Sequence, residues 1–301
     1  MILLFLLENK VGITEKFKRL IDNLRTNDDE IISIRCKRIT KRINLDFWNS
    51  TSETQHIRYL GSYGRGTDIR EHSDVDLAVL LPGTVYSQYN LYMFNGQSAL
   101  LQTVKKSIKT TYPLTEIGGD GQVVVVQFGD GIKFEVVPVF QNTDGSFTYA
   151  DSNNGGSWKK NNPIAEISAI NYANTLYNKK VKHLARMARA WKQTNNVPIK
   201  GLLIDTFAYN FMSQWEYNDK SFLYYDYMIR DFMKFLSQRD KAQQYWQAPG
   251  SYERVSRIGL FEYKAAQAYT NALEAISYEN NGKLYSANLK WKEIFGRFFI
   301  N

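Results

Sequence analysis

Between Gly61 and Pro82 the chain reads GSYGRGTDIREHSDVDLAVLLP, and no other stretch restricts its fold as tightly as the pair Asp74-x-Asp76 at the head of an apolar run. Apart from Asp76, the residues from Val75 to Leu81 are β-branched or apolar, and the run stops at Pro82-Gly83, which predicts a strand of about seven residues. Successive side chains of a strand face opposite sides, so Asp74 and Asp76 share one face while Val75 and Leu77 take the other. Two like charges held that close repel, and a cation between them relieves the repulsion. Oxygen donors alone point to Mg²⁺ or Mn²⁺.

Just upstream, the segment from His56 to Leu60 predicts a short strand. Gly61-Ser62 at its end predicts a turn whose backbone N–H groups are open to a phosphate chain, with no bulky side chain in the way. No Gly-Lys-Ser/Thr follows, so this is not a Walker A loop, and the dinucleotide fingerprint is incomplete; a plain hairpin turn is the alternative. Downstream, Gln122 to Phe128 and Ile132 to Phe140 read as strands joined at Gly129-Asp130-Gly131, a hairpin signal. Glu135 interrupts the second strand on the face of Lys133 and Val137. It is either a third acid for the Asp74 and Asp76 pair or a partner of Lys133 or an arginine on a solvated sheet face.

Gly61-Ser62 followed by Asp74-x-Asp76 in a hydrophobic strand resembles the signature of the DNA polymerase β-type nucleotidyltransferase superfamily. The longer strings GSYGRGT, SDVDL, KFEVVPVF and DSNNGGSWKKNNP resemble bacterial CD-NTases, relatives of cyclic GMP-AMP synthase and oligoadenylate synthetase, over roughly residues 12 to 275. The resemblance implies an α+β fold: a polymerase β-like nucleotidyltransferase sheet with a long N-terminal helix, over residues 1 to 165, and a helical C-terminal lobe over 166 to 301, with the active site in the cleft between them. It implies two Mg²⁺ or Mn²⁺ ions on Asp74, Asp76 and Glu135, where the family often has aspartate at the third position. The ions would activate the attacking hydroxyl and steady the leaving pyrophosphate. It further implies condensation of NTPs, with ATP and GTP binding, into a cyclic oligonucleotide, in first place a cyclic dinucleotide, that acts as a second messenger in bacterial antiphage signalling of the CBASS type. The implied partners are the NTPs and a downstream effector protein that binds the product, with the enzyme a monomer and neither membrane nor nucleic acid required. Two other functions stay open: nucleotide transfer to an RNA, small-molecule or protein acceptor, and a catalytically silent nucleotide or nucleic-acid binding module.

The same resemblance assigns substrate contacts. Arg186-Met187-Ala188-Arg189-Ala190-Trp191 is similar to the family helix whose cation grips the triphosphate, with Arg189 where lysine is usual, and Lys182 stands one turn before Arg186. From residue 178 to 193 the pattern is that of an amphipathic helix, with Val181, Leu184, Ala185, Ala188 and Trp191 suited to burial. The Asn-, Gly- and Ser-rich stretch from Tyr149 to Asn162 predicts a loop; Ser157, Trp158 and Lys159 are candidates for contacting a base, or the loop is simply a surface crossover.

At 301 residues the chain can hold two domains or one large one, and 44% apolar content is ordinary for a soluble protein. The net charge of +8 fits either a nucleic-acid surface or a pocket that receives several phosphates. A single cysteine, Cys36, excludes an internal disulfide and fits a reducing cytoplasm. The apolar start from Met1 to Leu7 is too short to span a bilayer and reads as a first strand, a docking segment or a start-site artefact. Asn27-Asp28-Asp29-Glu30 predicts a capping box ahead of a helix to about Trp48. One amphipathic helix is expected at about 96 to 109. Beyond residue 166 helices are expected at about 167 to 195, 201 to 215, 221 to 238 and 260 to 279, with a short one near 290.

Overall fold

A computed structural model describes residues 2–70 and 74–300, with side chains from residue 12 onward. His72 and Ser73, just ahead of Asp74 in the motif, lie outside the described residues, as does Met1. In chain order the elements are α1 (Ile2–Leu24), α2 (Asp29–Trp48), β1 (Ile57–Tyr59), α3 (Gly61–Arg65), β2 (Val75–Leu80), α4 (Gly83–Asn90), α5 (Gly96–Thr111), β3 (Glu116–Asp120), β4 (Val123–Gln127), β5 (Lys133–Gln141), β6 (Phe147–Asp151), β7 (Ser157–Asn161), α6 (Pro163–Leu176), α7 (Lys180–Thr194), α8 (Gly201–Met212), α9 (Tyr225–Ser237), β8 (Tyr245–Gln247), β9 (Arg254–Ser256), α10 (Glu262–Asn280) and α11 (Leu284–Phe295). They form two compact units: one of residues 27–65 and 73–167, and one of residues 1–26, 66–72 and 168–301.

The first unit is built on a seven-stranded sheet in which β1, β2, β5, β4 and β3 lie side by side, and β6 and β7 continue from β5. Alternation along the strands explains its layers. Val75, Leu77 and Val79 of β2, Phe134 and Val136 of β5, and Val124 and Val126 of β4 all point to one face. There they pack against Ile32, Cys36, Ile39 and Ile43 of α2 and Leu100, Leu101, Val104 and Ile108 of α5 in one buried cluster. On the opposite face Leu60, Ala78, Leu80, Val139 and Phe147 form a smaller cluster, joined by Ile164 and Ile167. This face is therefore apolar toward the C-terminal ends of β2 and β5, while Asp76, Lys133 and Glu135 occupy its N-terminal end.

The second unit is mainly helical. Ile13, Phe17, Leu20, Ile21 and Leu24 make a buried stripe along α1 at helical spacing, and Phe17 meets Trp291 edge-on at 5.2 Å. The residues of α7 expected in the core, Val181, Leu184, Ala185, Ala188 and Trp191, are each fully buried.

Several local expectations are corrected. The start of the chain is helical, so the first-strand reading fails. At α2 the N-cap is Asp28 and makes no side-chain cap bond, so the capping box does not form; the helix runs to Trp48 as expected. Gly61-Ser62 is the first turn of the short helix α3, closed by a Gly64 N–H donating to the Leu60 carbonyl at 2.7 Å. The stretch expected as a loop from Tyr149 is the β6 and β7 hairpin, turned at Asn154, Gly155 and Gly156, which all have positive φ. The long helix expected over 167 to 195 is two helices, broken where Asn178 and Lys179 take left-handed φ of 51° and 68°. Strands β3, β8 and β9 had no counterpart in the sequence reading.

Candidate active site

The parallel pairing of β2 and β5 sets Asp76 directly beside Glu135, with Val75 beside Phe134 and Leu77 beside Val136. Neighbouring strands lie about 4.8 Å apart, so this register places the two carboxylates on one face within reach of each other. Asp74 leads into β2 on the same face. The third carboxylate of the sequence reading is thus brought to the first two by the sheet.

Lys133 completes the cluster. Its Nζ donates to Asp74 Oδ2 at 2.7 Å and to Glu135 Oε1 at 2.9 Å. The reading of Glu135 as a partner of Lys133 is therefore realised together with its place beside the two aspartates. The two carboxylates hold the Lys133 ammonium well above its ordinary pKa, Asp74 contributing most and Glu135 next. Asp76 goes the other way. Burial, and then the neighbouring Glu135 charge, push its pKa up to about 6, against the pull of Arg65.

Gly61 touches this cluster from the side. Its φ is +56°, and a Cβ there would overlap the Asp76 carboxylate. Only glycine satisfies both conditions, since it has no side chain and adopts positive φ at little cost. The Leu60 N–H donates to the Asp76 carbonyl at 2.8 Å, which ties the start of α3 to β2. A Cβ on Gly64 would in turn overlap the Tyr59 carbonyl. Both glycines thus let α3 sit tight against the strands that carry the acids.

The donor set suits a hard divalent ion, since it offers carboxylate oxygens that already hold one cation. As arranged, the oxygens face Lys133 and Gly61 rather than one common point: among the described residues, no group of three His, Cys, Asp or Glu side chains is disposed to hold a metal.

In the helical unit the three basic candidates have different surroundings. Arg189 is buried and spans Asp205 with two prongs, Nη1 to Oδ1 at 2.6 Å and Nη2 to Oδ2 at 2.8 Å; Nη2 also donates to the Gly201 carbonyl at 3.1 Å. Arg186 donates from Nε to the Asp68 carbonyl at 3.1 Å and lies 3.8 Å from the Asp68 carboxylate. Lys182 lies over Gly66, where a Cβ would come within 3.0 Å of its Nζ. No carboxylate pairs with it among the described residues, and burial, followed by the Arg186 charge, lowers its pKa.

Trp158 packs on Tyr86 and Phe140, with ring centroids 4.8 and 5.7 Å away, and its Nε1 donates to Asn90 at 3.0 Å. Ser157 opens β7 opposite Asp151, and Lys159 lies 3.7 Å from the Asp151 carboxylate. The sequence reading missed Asp205; an acid inside the apolar run of α8 was the signal that a buried cation had to meet it.

Fold and acidic face together define a nucleotidyltransferase of the CD-NTase type. The family described as Second Messenger Oligonucleotide or Dinucleotide Synthetase domain matches residues 12–174, more than half the chain, and the protein belongs to that family. A probable cyclic nucleotide synthase of Bacillus cereus (strain VD146) is 22% identical over 273 residues, covering 79% of this chain and 80% of that protein. Among solved structures, CdnC of E. coli MS115-1 with ATP superposes with a TM-score of 0.69 at 16% identity, over 95% of this chain and 98% of that one. Vibrio cholerae DncV, a cyclic AMP-GMP synthase caught with a linear intermediate, gives 0.65 at 12% identity, over 97% and 88%. The family expected from the motifs is borne out, as is the α+β fold. Among the described residues no helix is long and apolar enough to cross a membrane.

Proposed function

We propose that this protein condenses NTPs into a cyclic oligonucleotide, a cyclic dinucleotide in first place, with release of pyrophosphate. The observation that carries the reading is the register that puts Asp76 beside Glu135 with Asp74 on the same face, because phosphoryl transfer depends chiefly on charge placed where the transition state needs it. Asp74, Asp76 and Glu135 would hold Mg²⁺ or Mn²⁺, two ions in all, and bound divalent ions supply Lewis acidity at the phosphoryl oxygens and a lowered pKa at the attacking hydroxyl. The chain's own groups bind and orient. Gly61 and Ser62 leave backbone open beside Asp76 for a triphosphate. Lys182 is the basic candidate left without a carboxylate partner among the described residues, whereas Arg189 bonds to Asp205 and Arg186 to Asp68; all three stay candidates for the triphosphate. Ser157 and Trp158, both partly exposed, stand as candidate base contacts.

Relatives support nucleotide substrates: the E. coli CdnC structure contains ATP, and that of Bradyrhizobium diazoefficiens CdnG contains GTP. We assign the product the role of a second messenger in antiphage signalling, read by a separate effector protein. The CdnC that forms a complex with a HORMA protein is one precedent for a protein partner. The test is incubation with all four NTPs and Mg²⁺ or Mn²⁺, with no added acceptor, followed by phosphatase digestion and mass spectrometry. A phosphatase-resistant cyclic product supports the proposal. Transfer that appears only when RNA, a small molecule or a protein is added moves the protein to the acceptor class, and Mg²⁺-dependent NTP binding without pyrophosphate makes it a silent binding module.

A further inference from the structure

Lys133 occupies an unusual position for a metal-binding face. Its ammonium is bonded to Asp74 Oδ2 and Glu135 Oε1, so it holds two of the carboxylates on which a divalent ion would have to sit. Strand geometry fixes this, since Lys133 is two residues before Glu135 in β5 and so shares its face. Among the described residues the other charged groups acting on Asp76 are Glu135, Asp74 and Arg65, and Gln127 lies across from Lys133 on β4. Without Lys133, Asp74, Asp76 and Glu135 would share one face with Arg65 left to offset the charge at Asp76. Lys133 also has somewhere to go: its side chain is 29% exposed and sits at the first residue of the strand, on a flexible four-carbon stem.

We propose that Lys133 is a resident counter-ion of the acidic face: its ammonium holds Asp74 and Glu135 in the ion-free protein and must swing away before a divalent cation is taken up, so that it sets the site's affinity for that cation. The inference rests on the reading of Asp74, Asp76 and Glu135 as a metal site. A lysine in this role keeps the free enzyme stable and raises the concentration of divalent ion, or of ion carried in by a triphosphate, needed to load the site. It favours loading by the nucleotide-bound ion over loading by the free ion, because a triphosphate offers the displaced ammonium new oxygens to bind.

The test measures Mn²⁺ binding directly, by electron paramagnetic resonance of the free ion, in wild type, Lys133→Met and Lys133→Arg. Each is titrated without nucleotide and then with a non-hydrolysable ATP analogue, and thermal unfolding is followed in EDTA. Lys133→Met should bind Mn²⁺ roughly tenfold more tightly than wild type, a change of about 1.4 kcal/mol. It should melt lower in EDTA and gain more on adding Mn²⁺, while Lys133→Arg, which keeps the charge, should stay near wild type. Unchanged or weaker Mn²⁺ binding by Lys133→Met overturns the proposal. If wild type, Lys133→Met and Asp76→Ala all fail to take up Mn²⁺ with or without the analogue, the metal-site reading itself falls, and the two failures are thereby told apart.

Discussion

Arg189 and Asp205 form a buried two-pronged ion pair between α7 and α8, with both contacts under 3 Å and Asp205 wholly inaccessible. Thr67 adds a hydroxyl donor to Asp205 Oδ2 at 3.1 Å. Such a pair is costly to break, because removing one member leaves an uncompensated charge in the core. Asp205→Ala should destabilise the protein by about 3–5 kcal/mol. The double variant Arg189→Met/Asp205→Leu should recover most of that loss, as measured by urea unfolding. If Arg189 instead serves the triphosphate, Arg189→Met would raise the KM for NTP with little change in stability.

Asp76 sits beside Glu135, and its pKa of about 6 comes from burial and from that neighbour. Asp76→Asn keeps the shape and removes the charge. Pyrophosphate release should drop by a factor on the order of 100 or more, the usual consequence of losing a charge aimed at a phosphoryl transition state. The melting temperature in EDTA at pH 8 should be unchanged or higher, because one repelling charge has gone. Near wild-type turnover in this variant would remove Asp76 from the chemistry.

How far these features could be read in advance follows from their physics. The strand carrying Asp74-x-Asp76 was legible because β-branched residues, alternation and a Pro-Gly stop agree there, and Glu135 was legible as an acid in an apolar strand. The pairing of Lys133 with Asp74 was not, since it depends on the parallel register of β2 and β5, which no local pattern encodes. For the same reason the bond from Arg189 to Asp205 was not legible: the resemblance assigns Arg189 to the triphosphate, and only tertiary structure brings Asp205 to it from sixteen residues away. The segment from Tyr149 reads as a loop by composition, yet adding strands beside β5 satisfies its backbone better than solvent alone. At residues 178 and 179 the helical pattern continues through a break that needs left-handed backbone, which asparagine tolerates well at 178 but which lysine at 179 does not signal.

Gly61 makes a separate demand on sequence. Gly61→Ala introduces a Cβ that overlaps the Asp76 carboxylate at a residue with φ of +56°. Backbone strain alone costs on the order of 1 kcal/mol, and Asp76 must also rotate off its present position. The variant should fold, melt a few degrees lower, and lose turnover far beyond what its stability loss explains. Measuring melting temperature and pyrophosphate release together separates the two effects. Equal, small losses in both would mean that the carboxylate position is not critical.

Glu279 gives the helical unit a pH dependence of its own. Its side chain is 1% exposed, accepts a hydrogen bond from Trp291 Nε1 at 3.1 Å and lies 3.8 Å from the Lys16 ammonium. Burial outweighs both and raises its pKa from an ordinary 4.5 to about 7. Between those values the folded chain keeps the proton and the unfolded chain releases it, so stability falls as pH rises. The contribution is fully present below pH 4.5 and is lost by about pH 7, an effect on the order of 3 kcal/mol at about 1.4 kcal/mol per pK unit. Glu279→Gln keeps an oxygen for Trp291 and cannot ionise. Relative to wild type it should be more stable above pH 7 and show no advantage near pH 4.5, so the difference between the two urea-unfolding curves isolates this group from the other carboxylates. A constant difference across that range would mean that Glu279 is ionised in the folded protein, with Lys16 as its working partner.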